Sequence, residues 1–392
     1  MQVQLIKHLE QLAPYADDWD RLAMDVPFRS WTWLSHWWKS YGSTDRHGKR
    51  SELSVLAVFD ERKSLIGIAP WYSDHSITHG RVLRMLGTGE VCSDYLSLLC
   101  LHDTEEAISQ AVADFLLEGS VDPGERLRWD LLELSSVDFE DPAVSQLAEH
   151  LAERGCTVHR RSGLNCWRLD LPATWEEYLE ILSKSYRRQV RRLERDYFEK
   201  GRAVFRIVER LDDLTAAMDL LIDMHQRRRH SLGEPGCFSS PWFTAFYRGV
   251  LPQMMRQGQL QFFLLEFDGR PVAVEYDLTG GGVLYAYQAG VEPDAMEHQP
   301  GKLLTLAIIR WAIEQGYRAL DFLRGDEPYK AHFRAVPRPS LEIRIVPDRA
   351  TARLRHNFWL AGCQVKQWIK RGARGQRREV RGEGRGSETL KG

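Results

Sequence analysis

Val283-Leu-Tyr-Ala-Tyr-Gln-Ala-Gly-Val-Glu-Pro-Asp294, His298-Gln-Pro-Gly-Lys-Leu-Leu304 and Tyr317-Arg-Ala-Leu-Asp-Phe-Leu-Arg-Gly-Asp-Glu-Pro-Tyr-Lys-Ala-His-Phe333 carry the densest pattern in the chain. The first piece predicts a buried strand over Leu284–Gly290, and Pro300-Gly301 then opens a helix over Lys302–Gln315. Proline and glycine leave the first helical N–H groups unshielded by side chains, which makes a ready anion site, and Lys302 adds charge there. After Gly316 a second strand, Ala319–Leu323, completes a β-α-β unit. Asp321, Arg324, Asp326, Tyr329 and Lys330 then fall near the carboxyl ends of two strands, where open sheets bind ligands. A carboxylate, a phenol and an ammonium can handle protons in group transfer, although each taken singly also reads as a surface ion-pair member.

Outward from this unit the chain repeats itself. Phe28 to Tyr41 predicts a Ser30-capped helix burying Trp33, Leu34, Trp37 and Trp38, stopped by Gly42. Leu53–Phe59 and Ser64–Trp71 then form a hairpin around Asp60 to Lys63. The same theme returns as a Ser-capped aromatic helix from Phe238 to Tyr247, followed by strands Leu260–Phe267 and Pro271–Leu278 around Asp268-Gly269-Arg270. The helices start 210 residues apart (238 − 28) and the Phe-Asp turns lie 208 apart (267 − 59), which points to a duplicated α/β domain. Arg81–Gly87, Asp94–Cys100 and Leu127–Leu134 read as further strands, and helices Glu105–Leu117 and Ala143–Arg154 alternate with them. The expected division is 1–170 for the first copy and 171–346 for the second, then a helix over 347–370 and a disordered basic tail over 371–392.

Between the copies Trp175–Lys200 reads as one long helix, apolar on Leu179, Leu182, Tyr186, Val190, Leu193 and Tyr197. Its other faces carry Lys184, Arg187, Arg188, Arg191, Arg192 and Arg195, either a solvated face or a contact for an anionic substrate. Net charge is −2, yet residues 1–155 hold 14 Lys+Arg against 26 Asp+Glu, leaving 39 against 29 in the remainder. Anions therefore belong with the C-terminal part. Six cysteines without a CxxC pair or a Cys/His cluster argue against structural zinc and a disulfide framework. No apolar run reaches the roughly 20 residues of a membrane span, and the N-terminus lacks a signal-peptide layout, so a cytoplasmic protein is expected.

The order Tyr285-Ala-Tyr287…Gly290…Pro293, Pro300-Gly301-Lys302-Leu303-Leu304 and Asp321 to Lys330 resembles the GNAT-like acetyltransferase family named for the cellulose-biosynthesis protein CelD (BcsL-like). The likeness extends to Leu182 to Arg192, His225…Arg229, Phe267 to Ala273, Trp33…Trp37-Trp38, Ile68-Ala-Pro70 and Leu86-Gly87, so that it covers roughly residues 25–335. Gln299 precedes Pro300 where the family usually shows Ser, and Phe333 stands where Trp is common.

This resemblance implies two tandem GNAT-type folds related to the Fem-type aminoacyltransferases, and acetyl-CoA or another acyl-CoA as donor, with no metal. It implies a donor site on Tyr287, Gln288, Ala289, Gly290 and Val291, whose backbone N–H groups polarise the thioester carbonyl, and a pyrophosphate site on Gly301, Lys302 and Leu303. Asp321 or Glu275 is the expected base, Tyr329 the acid for the departing thiolate, and Lys330 a phosphate or charge partner. Lys184, Arg188, Arg191 and Arg324 are the expected anion contacts. The implied activity is N-acyl transfer to a small-molecule or glycan-linked amine in envelope polysaccharide synthesis, with no nucleic-acid partner. The alternatives are a Fem-like aminoacyl-tRNA-dependent transferase and a non-catalytic adaptor for nucleic acid or anionic surfaces.

Overall fold

Hydrophobic alternation along the chain resolves into three sheets in a computed structural model that describes residues 1–42, 51–76, 78–118 and 127–361. The C-terminal sheet has seven strands, in the order Ala203–Ile207, Leu260–Phe267, Arg270–Gly280, Val283–Val291, Ala319–Arg324, Cys166–Asp170 and Val336–Arg338. The N-terminal half divides the same path between two sheets. Gln2–Ile6, Val55–Phe59, Leu65–Ala69 and Leu99–Cys100 form one. Glu52–Leu53, Trp71–Ser76, Gly80–Met85, Leu131–Asp138, Ser340–Val346 and Thr157–Ser162 form the other. Both halves place a parallel pair at the equivalent position, Gly80–Met85 beside Leu131–Asp138 and Val283–Val291 beside Ala319–Arg324. The fold is therefore mixed α/β in two tandem GNAT-like halves.

Local chemistry explains the repeated pieces. Ser30 accepts from the Trp33 N–H and caps helix Trp31–Tyr41, while Ser240 accepts from the Phe243 N–H and caps helix Pro241–Arg256. The two helices pack on each other, with the Trp33 and Phe246 rings 4.9 Å apart and edge-on. In the second hairpin Asp268 and Gly269 both take positive φ, 48° and 78°, the twist that a two-residue turn between strands requires. One apolar body runs continuously from the first half to the facing side of the C-terminal sheet. The opposite side of that sheet is covered by helices Trp175–Ile181, Lys184–Leu193 and Pro300–Glu314.

Three expectations change. Trp175–Lys200 is not one helix: Leu182 is extended at φ −69° and ψ 151°, and the Ser183 side chain accepts from the Tyr186 N–H to start a second helix. A π-helical turn, Glu194–Glu199, follows. Thr174 and Glu177 form a capping box on the first piece, so each has its own start signal and periodicity alone joined them. Of the expected strand Asp94–Cys100 only Leu99–Cys100 is extended and paired, and the preceding loop turns through positive φ at Cys92 and Tyr95.

The boundary between 1–170 and 171–346 does not follow the sheets, because the halves exchange strands across it. Cys166–Asp170 pairs with Ala319–Arg324 in the C-terminal sheet, whereas Ser340–Val346 sits between Leu131–Asp138 and Thr157–Ser162 in the N-terminal one. Each strand closes the sheet that its sequence neighbourhood does not predict. A helix runs from 350 to 361; the rest of the expected 347–370 helix, the 371–392 tail and Cys363 lie outside the described residues.

Candidate active site

The parallel pair in the C-terminal sheet comes apart. Its ladder runs Val283↔Ala319, Leu284↔Leu320 and Tyr285↔Asp321 and then stops, although Val283–Val291 keeps its antiparallel partner on the other edge. The cause lies in the second strand. Leu323 adopts φ 55°, a left-handed value costly for a branched side chain, and its N–H is taken by Asp321 Oδ1 at 2.8 Å. The Arg324 N–H is taken by Asp94 Oδ2 at 3.1 Å. With these donors engaged elsewhere, the edge of residues 286–291 facing this strand has no ladder.

A cavity of about 470 Å³ opens at the split. Ala286, Tyr287 and Gln288 line it from one strand and Phe322, Leu323 and Arg324 from the other. Glu90, Cys92 and Asp94 close it from the N-terminal half, and His225, Arg229 and Cys237 from the segment after the first C-terminal strand. The site is thus shared between halves. The Tyr287 side chain turns toward the N-terminal half, where it packs on Phe28 and Trp33 and its hydroxyl donates to the Val91 carbonyl. Gly290 is required by packing, since a Cβ there would stand 3.0 Å from Met224 Cβ and 3.1 Å from the Leu221 carbonyl on helix Leu211–Ser231. Ala289 is exposed and Val291 half-buried.

Beside the split lies the start of helix Pro300–Glu314. Gln299, at φ 54°, supplies no side-chain cap, and a Cβ on Gly301 would meet only Val291 Cγ2 at 3.5 Å. The first intrahelical bond runs from the Leu303 N–H to the Gln299 carbonyl at 3.1 Å. Gly301 and Lys302 therefore keep free N–H groups, while the buried Leu303 offers none. Lys302 Nζ lies 5.6 Å from the Tyr186 ring, and burial lowers its pKa.

The side chains expected to do chemistry are mostly engaged elsewhere. Asp321 is fully buried, accepts from the Tyr95 hydroxyl at 2.5 Å and from the Leu323 N–H, and does not line the cavity. Burial raises its carboxyl to about 6. Its work is to hold the Leu323 turn. Lys330 is 2% exposed and its ammonium donates to the carbonyls of Leu323, Arg324 and Gly325 at 3.0–3.1 Å, so it caps the same turn rather than meeting phosphate. Arg324 clamps the halves together, with Nε on Asp94 Oδ1 at 2.7 Å and Nη2 on Ser93 O and Ser136 Oγ. It lines the cavity with Nε and Nη2 engaged in this way.

Tyr329 is half exposed and packs on Phe322 and Phe333, away from the cavity. Glu275 also lies off the cavity, next to Asp277 on the same strand. Burial pushes Glu275 up to about 7, and burial with the neighbouring Glu275 carboxyl pushes the fully buried Asp277 well above the carboxylate range. Lys184, Arg188 and Arg191 stand exposed on helix Lys184–Leu193, outside the cavity lining, and Arg191 pairs with Glu176 at 3.9 Å.

Apart from Tyr287 and Arg324, the cavity's titratable groups come from stretches that local pattern gave no reason to choose. His225 is 5% exposed, and burial holds its imidazole below the ordinary value, hence neutral at pH 7. Gln226 donates its amide N–H to the Pro235 carbonyl at 3.0 Å, which turns its Oε1 toward His225 Nδ1 at 3.2 Å. Nδ1 then carries the proton, and the Nε2 lone pair faces Cys237 Sγ at 3.8 Å. The spacing His225…Arg229 was visible in the sequence as part of the resemblance, but nothing local marked it as a site. Ser93, Asp94 and Tyr95 gave no signal at all, because their contacts with Arg324 and Asp321 form only when the halves meet.

Taken together, an uncapped helix start beside a split parallel pair defines a GNAT-type acyltransferase fold. Residues 184–331 match the family described as acetyltransferase (GNAT) domain. Among solved structures, FemX is similar at 10% identity over 90% of this chain and 99% of its own, with a TM-score of 0.59. A conserved protein of unknown function from Bacteroides thetaiotaomicron VPI-5482 is similar at 11% identity over 88% and 100%, with a TM-score of 0.53. Both likenesses concern the fold. No curated protein matches by sequence. No helix among the described residues is long and apolar enough to cross a membrane.

Proposed function

We propose that the chain is an acyl-CoA-dependent N-acyltransferase that moves an acetyl or other acyl group to an amine. The acceptor class implied by the CelD/BcsL-type resemblance is a glycan-linked amine of envelope polysaccharide synthesis. The observation that carries this reading is the split after Tyr285↔Asp321, which opens a 470 Å³ cavity; the free N–H groups of Gly301 and Lys302 lie at the far end of the split strand, where Gly301 approaches Val291. Those two groups, with the Lys302 ammonium, hold the donor's pyrophosphate. The unladdered edge of residues 286–291 polarises the thioester carbonyl. His225 replaces Asp321 and Glu275 as the base: neutral and in the cavity wall, it takes the proton that the attacking amine loses. The thioester supplies its own leaving group, so no covalent enzyme intermediate is required.

Thermal unfolding with acetyl-CoA, longer acyl-CoAs and free CoA, followed by mass detection of products from an amine library, tests this. Stabilisation by CoA and an acylated amine are expected. No stabilisation at millimolar CoA overturns the reading. Transfer from aminoacyl-tRNA instead establishes the Fem-like alternative, and salt-sensitive nucleic-acid binding without any CoA shift establishes the adaptor.

A further inference from the structure

A second cavity, of about 230 Å³, lies at the other end of the split pair, where the strands begin. Four arginines line it: Arg29 ahead of the first aromatic helix, Arg168 and Arg338 on adjacent strands, and Arg318 just before Ala319. Among the described residues the side chains of Arg318 and Arg338 make no hydrogen bond or ion pair. Arg168 pairs only with Asp170, at 3.2 Å, and that carboxylate is 83% exposed. Arg29 is fixed by the Tyr95 carbonyl and by Asp141 at 3.4 Å. Two carboxylates, Asp25 and Asp138, share the lining, and Asp138 already accepts the Glu140 N–H at 2.9 Å. Arg29 and Arg168 thus have carboxylate partners outside the lining, and Arg318 and Arg338 are the two guanidiniums of the recess that have no hydrogen bond or ion pair among the described residues.

We propose that this recess binds a compact phosphoryl dianion. Guanidinium forks match phosphate oxygens in pairs, and two guanidiniums without a hydrogen-bonded carboxylate, flanked by two more in the same recess, leave N–H donors that an anion can take. The volume lies below the roughly 300–1,000 Å³ of sites for drug-sized ligands, so the ligand is a phosphate or a small phosphate ester rather than the nucleotide of an acyl donor. The chemistry does not depend on the acyltransferase reading. The location does connect the two: Tyr95 lines the recess and donates to Asp321, whose other oxygen holds the Leu323 turn in the cavity wall.

Isothermal titration of the full chain at low salt, with inorganic phosphate, glycerol 3-phosphate and malonate as separate probes, tests the proposal. Phosphate or the ester should bind, and Arg318→Gln and Arg338→Gln should each weaken it about tenfold or more, the loss of a charge-assisted contact. Arg62→Gln, on the distant hairpin turn, should leave it unchanged. Stabilisation by free CoA should persist in both pocket variants, which separates failure of this site from failure of the transferase reading. The proposal is overturned if no phosphoryl probe binds at millimolar concentration, or if binding survives in the folded Arg318→Gln/Arg338→Gln double variant. Binding of malonate without either phosphoryl probe overturns the phosphoryl assignment.

Discussion

The two halves share strand order and a parallel pair, yet they finish that pair in opposite ways. In the N-terminal half the ladder ends on Arg84↔Glu133, and Arg84 is locked to Glu133 at 2.9 Å and to Asp74 at 2.8 Å, with Arg344 on the other Glu133 oxygen. In the C-terminal half the ladder ends on Tyr285↔Asp321 and a cavity follows. The helix starts differ in the same sense. Helix Glu105–Glu118 opens with Glu105 and Glu106, carboxylates that occupy the positive end of the dipole and repel phosphate, whereas Pro300–Glu314 opens with Gly301 and Lys302. The two halves therefore differ in the charge they present at equivalent helix starts. The N-terminal half contributes Glu90, Cys92 and Asp94 to the cavity wall, with Asp94 held by Arg324.

The comparison can be broken experimentally, and the largest effect belongs to the proposed base. His225→Ala should lower kcat about 100-fold or more, and Asp321→Asn less than about tenfold, if proton transfer rests on the first and turn geometry on the second. The reverse order in steady-state kinetics would return the base to Asp321. In the parent protein kcat/KM should rise with pH through a group titrating below 6.5 and stay flat through neutrality, because burial lowers the His225 pKa.

The next effect is on stability. Asp94→Ala strands the Arg324 guanidinium and should cost about 3 kcal/mol in urea unfolding, since breaking one side of a buried pair leaves the other charge unmet. A smaller change tests the helix starts directly. Gly301→Asp gives the second helix a carboxylate like the first, and should raise the KM for acyl-CoA about tenfold with little change in kcat. An unchanged KM would detach the pyrophosphate from this site.

The buried carboxyls make a pH-dependent prediction. Asp277 and Glu275 bind protons more tightly in the folded chain than unfolded, so their contribution is full at acidic pH and is lost as pH rises toward about 7 and beyond. Asp277→Asn should flatten that decline, measured as unfolding free energy at pH 5 against pH 8. Last and smallest, reversing Lys184, Arg188 and Arg191 to Glu should change the KM values less than about twofold if these exposed side chains interact only through screened charge.

Much of the fold was legible because its signals are local. Ser30 and Ser240 sit three residues before the N–H groups they cap, the Asp268-Gly269 turn fits its hairpin by backbone twist, and Pro300-Gly301 exposes its own N–H groups. What could not be read was any role set by a distant partner. Asp321, Lys330 and Arg324 looked like chemistry in the sequence because their types and spacing suit it. The polar groups that occupy them are Tyr95, the carbonyls of a left-handed turn, and Asp94, which meet them only after folding.

The sequence by itself determined the repeated α/β pattern, the aromatic helices and the anion-ready helix start, because each depends on residues a few positions apart. Only the tertiary structure decided which strand joins which sheet, since the backbone edges of Cys166–Asp170 and Ser340–Val346 can pair with any strand and their partners lie far away in the chain. It also decided which titratable group faces the cavity. Burial and hydrogen-bond occupancy are properties of the assembled halves, and they leave His225 in the cavity wall while they enclose Asp321.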